Sequence, residues 1–143
     1  MKITFLLLLM LALSVNADML PRNQIKEILP EDYGKFGITP FVGPLHEDGS
    51  QETTVIFNRT MYSQSIKEVA LHFLSSKKIL ILKSNSDYEC REDKCFVIFH
   101  IVPDYQNNIE LELVYAGSGS DDIQNKYIIK EIGLLTSRIN RKR

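Results

Sequence analysis

The stretch SIKEVALHFLSS (residues 65–76) decides how this chain is read. Ile66, Val69, Ala70, Phe73 and Leu74 fall at i, i+3, i+4, i+7 and i+8, the spacing of one face of an α-helix. Ser65 and Glu68 stand at the two positions of a capping box, where side chains satisfy amides that a helix start leaves open. The pattern predicts a helix over 65–76.

Strand signals surround it. TTVIFN (53–58) is β-branched and aromatic. KILILK (78–83) and CFVIFHIV (95–102) are continuously apolar, as expected of strands that are central or covered on both faces. IELELVY (109–115) alternates, which predicts one packed face and one face carrying Glu110 and Glu112 into water. The turn-rich connections SNSDYECREDK and PDYQNN suit an antiparallel meander. After AGSGS (116–120), Asp121 and Gln124 read as a second capping box. Ile123, Ile128, Ile132, Leu135 and Ile139 then recur at helical spacing. The expected class is α+β: an antiparallel sheet of about four strands packed against two helices, in the order arm-β-α-β-β-β-α.

The N-terminal part divides in two. Residues 1–17 read as a signal peptide, with Lys2 ahead of an apolar block from Ile3 to Leu13 and a small-x-Ala cleavage pattern ending at Ala17. That block is far shorter than the roughly 20 residues a spanning helix needs, and no later segment is long and apolar enough, so no membrane span is expected. Residues 18–50 read as an irregular arm. RNQIKEIL allows two helical turns before Pro30, and FGITPFVG has the residues of a sheet-edge strand. Residues 51–143 then form a single domain. Loss of Lys2 with the leader would take the formal charge from −1 to −2, which gives no reason to expect a nucleic-acid partner.

Cys90 and Cys95 are the only cysteines. Four residues separate them, too many for a redox C-x-x-C, and no further cysteine or paired histidine lies at the spacing of a zinc set. In a secreted, extracellular protein the pair forms a disulfide that staples a hairpin, worth about 2 kcal/mol or less for so short a loop. No metal and no cofactor is expected.

Chemistry is sparse. The chain has no G-x-S-x-G, Walker A lysine, dinucleotide fingerprint or H-E-x-x-H. His100 reads as a hydrogen-bonded core histidine on the strand face of Phe96 and Ile98, and His72 as a solvent-side imidazole on the first helix. Asn58-Arg59-Thr60 is an N-glycosylation acceptor, making Asn58 a candidate glycan site. The basic tail Arg138, Arg141, Lys142 and Arg143 suits a helix C-terminus. It also permits trimming at paired basic residues or polyanion binding.

A strand, a helix carrying EVALHF and then antiparallel strands resemble the cystatin family over residues 53–115. CFVIFHIVP, with Cys95 and Pro103, is similar to the family's strand that leads into its Pro-Trp loop. The resemblance implies a peptidase inhibitor of cystatin-like shape. Asp104 stands where that loop needs tryptophan, and no Q-x-V-x-G is present. The leading expectation is instead a secreted, non-enzymatic interaction or ligand-binding protein, with an unknown protein or small apolar ligand as partner. A small hydrolase built around His100 is a further alternative. Arg91 and Tyr105, in the loops YECREDKC and PDYQNN, are the candidate partner contacts.

Overall fold

The computed structural model describes residues 24–102, 108–117 and 123–133. Ten strands account for most of them: β1 (Ile25–Ile28), β2 (Thr39–Leu45), β3 (Gln51–Asn58), β4 (Thr60–Met61), β5 (Gln64–Leu74), β6 (Leu80–Asn85), β7 (Glu89–Arg91), β8 (Lys94–Ile101), β9 (Ile109–Ala116) and β10 (Gln124–Ile129). The only helical pieces among the described residues are two short 3-10 turns, Pro30–Asp32 and Gly34–Phe36. No helix there is long and apolar enough to cross a membrane.

The predicted α+β class, with its cystatin-like helix on a sheet, is therefore overturned: the described residues are nearly all β, in two sheets. The first sheet has the order β1-β10-β9-β5-β4, with β6 on the side of β5 that β4 also uses; the second runs β2-β3-β8-β7. Both contribute to one core. Val55, Phe57, Val97 and Ile101 come from the second sheet, and Val69, Leu111, Leu113 and Tyr115 from the first.

The segment predicted as the first helix is β5. It pairs with β9 in the register Ile66↔Tyr115, then Glu68↔Val114 and Val69↔Leu113, leaving Lys67 as the extra residue of a bulge. One inserted residue puts Ile66 and Val69, three apart, on the same face. That imitates the i, i+3 step of a helix, and the step of four from Val69 to Phe73 fits a strand's period of two equally well. Val69, Ala70, Leu71 and His72 are all buried, as befits a strand flanked on both edges. Ser65 caps nothing; it pairs with Ala116 and Thr60. Glu68 reaches Lys83 on β6.

The second predicted helix begins instead as β10, antiparallel to β9 and parallel to β1. Tyr127 and Ile129 face the core while Ile128 lies opposite Glu112. Ile132 is buried in the turn that follows; Asp121, Leu135, Ile139 and the basic tail from Arg138 to Arg143 lie outside the described residues, as does the leader 1–17. Within the expected irregular arm, Ile25–Ile28 and Thr39–Leu45 are strands, and β2 is an edge of the second sheet.

A tight hairpin joins β4 to β5. Met61 pairs with Gln64, and the two loop residues Tyr62 and Ser63 both have positive φ, 48° and 63°. This is the conformation that favours Asn-Gly. Replacing Tyr62-Ser63 by Asn-Gly is expected to stabilise the protein by about 0.5–2 kcal/mol, read as a higher thermal midpoint. An unchanged or lower midpoint would contradict the loop geometry.

Candidate functional site

Three features stand out once the strands are placed. The first is the edge strand β6. Every residue from Leu80 to Asn85 is exposed, and Ile79, Leu80, Ile81 and Leu82 are 64%, 49%, 67% and 56% accessible. The expectation of a central or doubly covered strand is corrected: β6 pairs with β5 alone. Its continuous apolar run therefore has no partner on its second edge among the described residues.

β6 is held to the neighbouring strands by charge on the sheet face away from the core. Lys83 donates to Glu112 Oε1 at 2.6 Å and lies 3.1 Å from Glu68 Oε1. His72 Nε2 is 3.1 Å from Glu112 Oε2, though not aligned as a hydrogen bond. Lys130 bonds Glu110 and lies 3.4 Å from Glu27. The predicted solvated face of Glu110 and Glu112 is thus a buried one, because β9 lies between β5 and β10 and long side chains from its neighbours close over it. His72, expected at the solvent side, is buried with them.

Burial works against ionisation of Glu112. The hydrogen bond and charge of Lys83, with His72 and Lys126 nearby, outweigh it and hold the carboxyl below its usual range. Lys83 is raised, chiefly by its bond to Glu112, against the opposing effect of burial.

The second feature is the hairpin β7–β8. Cys90 and Cys95 face each other across it and are joined as a disulfide, with their Cα atoms 4.0 Å apart. Such bonds are frequent in extracellular proteins. Cys95 is wholly buried, so the bond pins the hairpin to the core. The tip is tied again from outside, since Arg59 donates its backbone N–H to Asp93 O at 2.8 Å and its Nη1 to Glu92 O at 3.3 Å. Asn58, the sequon residue, sits beside this junction. Its carbonyl accepts from Tyr115 Oη at 2.5 Å and its Oδ1 from Lys94 Nζ at 2.5 Å.

Arg91 is exposed, its guanidinium 5.7 Å over the ring of Phe96. It thereby joins the outer face of the second sheet, where Phe41 and Ile98 are 54% and 52% accessible. Tyr105 lies outside the described residues, so its juxtaposition with Arg91 does not enter this geometry.

The third feature is on the same face. His100 is not a core histidine: its side chain is 53% accessible and stands opposite Glu52, near His46. Phe96, Ile98 and His100 share the outward side of β8, while Cys95, Val97, Phe99 and Ile101 take the core. A continuous apolar run concealed this alternation. The sequence signal that separates the two sides is the single polar residue, His100, within the run.

No protein-family model, no curated protein and no solved structure matches this chain.

The charge cluster behind β6 has a testable pH signature. The folded carboxyl of Glu112 is lowered, so its stabilisation is present above the unfolded-state value of about 4.3 and is lost as pH falls through the folded value. Glu112→Gln is expected to lower stability near neutral pH by about 1 kcal/mol, since Lys83 is partly exposed and keeps Glu68. In denaturant titrations that deficit should shrink as the pH is taken below about 4. A deficit independent of pH would show that Glu112 does not act through its charge.

Proposed function

We propose that this chain is an exported, non-enzymatic protein of two β-sheets that binds a protein partner by accepting an extended segment alongside β6. The observation that carries this reading is the four-residue apolar run Ile79–Leu82 along a sheet edge that pairs with no further strand among the described residues. Edge strands are ordinarily guarded by charge, proline or a covering element, because their free N–H and C=O groups template pairing. Here lysines flank the run at Lys77, Lys78 and Lys83, but its centre is bare. Strand addition satisfies the free edge, and a partner side chain over Leu80, Ile81 or Leu82 removes apolar surface from water.

Export is supported by the Cys90–Cys95 bond together with Lys2 and the apolar block preceding Ala17. Asn58 is the proposed glycan acceptor. A glycan replaces one hydrogen of its Nδ2 and leaves Oδ1 free to keep the bond from Lys94. The non-enzymatic reading is supported by Glu110 and Glu112, two carboxylates close enough on β9 for acid–base work, each of which is instead held by a lysine.

The exposed Phe41 and Ile98 favour a second reading, in which the partner sits on the outer face of the second sheet and touches Arg91, with Tyr105 as the further proposed contact. Charge substitutions separate the two. Immobilised chain carrying Ile81→Asp and Leu82→Asp should lose a partner captured by wild-type chain from the fluid that contains it, while Ile98→Asp with Arg91→Ala retains it. Equal capture by wild type and the β6 variant would overturn docking on β6; loss confined to the Ile98/Arg91 variant would transfer the site to the second sheet.

A further inference from the structure

The geometry points to a divalent transition-metal site, for zinc or copper, formed by His46, Glu52 and His100 on the second sheet, away from β6. The three side chains come from separate places in the chain. His46 follows β2, Glu52 lies in β3 and His100 in β8. The register sets Glu52 directly opposite His100, and the turn after β2 brings His46 back over them.

One ligand atom from each residue lies within 4.8 Å of the other two. His100 Nε2 is 3.8 Å from Glu52 Oε2, and the His46 and His100 rings have centroids 5.2 Å apart. Around a tetrahedral zinc ion, with bonds of about 2.0–2.2 Å, neighbouring donors stand roughly 3.4 Å apart. Side chains as exposed as those of His100 and Glu52, 53% and 40% accessible, are free to rotate toward a shared ion.

The backbone beneath the site is fixed. His46 donates its N–H to Ser50 O at 2.8 Å, and its carbonyl accepts from Gly49 N at 3.0 Å. Asp48 Oδ1 in turn accepts from Ser50 N at 2.9 Å and Ser50 Oγ at 2.6 Å, locking the turn. Gly43 keeps the space beside Glu52 open, since a Cβ there would come within 3.2 Å of the Glu52 Cβ.

A simple Glu52–His100 ion pair has no use for His46. Two imidazoles gathered beside one carboxylate are the donors of a metal set, and the acids Glu47 and Asp48, which line an open recess with His46 and His100, bias it toward a cation. Two nitrogens in three donors select zinc or copper over calcium and magnesium, which take oxygen. Three protein ligands leave a further coordination position for water or for a group on a partner.

Tag-free chain titrated with zinc chloride in a calorimeter tests the site, with histidine side-chain NMR as the second readout. One saturable event at micromolar zinc is expected, with the imidazole signals of His46 and His100 moving and those of His72 unmoved. His46→Ala, His100→Ala and Glu52→Gln should each weaken binding by about tenfold or more, while calcium chloride gives no event. No saturable event up to millimolar zinc overturns the proposal, and so does zinc binding that survives both histidine substitutions or leaves the His46 and His100 signals in place.

Discussion

The pairing of β5 with β9 is the constraint on which the remaining structure depends. Its register places Val69 beside Leu113 and Leu71 beside Leu111 on the inward face, and on the other face sets His72 beside Glu110 and Ala70 beside Glu112. Because β-strand side chains alternate, slipping this register by one residue would turn the acids into the core and the leucines out. The bulge at Lys67 prevents such a slip from being neutral, since it shifts the alternation between Ile66 and Glu68. β6 inherits its position from the same strand, and Lys83 secures it by reaching across β5 to Glu112.

Much of the chain could be read from its residues, and the failures have a common cause. Strands at 53–58, 95–102 and 109–115 show in β-branched content and alternation, and the disulfide follows from spacing. What the local pattern does not carry is each strand's place in its sheet. IELELVY alternates as a half-exposed strand does, yet β9 is central, and its glutamates are buried because lysines from β6 and from the turn after β10 reach them. KILILK is uniformly apolar as a central strand would be, yet it forms an edge. The two helices failed for local reasons: a bulge supplied a false three-residue step at Ile66–Val69, and Ile128–Ile132 joined a strand residue to one in the following turn. The candidate site was less legible still. His46 and Glu52 lie near each other across one turn, but His100 is remote from both in sequence, and only the pairing of β3 with β8 brings it beside them.

These misplacements bear on function. A strand rich in isoleucine and leucine is explained by the core when it is central; at an edge, the core explains nothing about it. The disulfide hairpin, by contrast, is explained structurally. Cys95 enters the core, and Arg59 binds the tip back to the segment leading into β4 and β5, joining the two sheets at one end. Among the described residues, the edge of β6 and the outer face of β3 and β8 expose apolar side chains on different sheets.

Whether residues 64–74 form a strand paired with β9 is tested most directly by NMR on isotope-labelled chain. The account predicts extended backbone shifts from Gln64 to Leu74 and cross-strand contacts between the backbone protons of β5 and β9 around Val69 and Leu113. Helical shifts over 65–76, with sequential amide contacts along the segment, would contradict it.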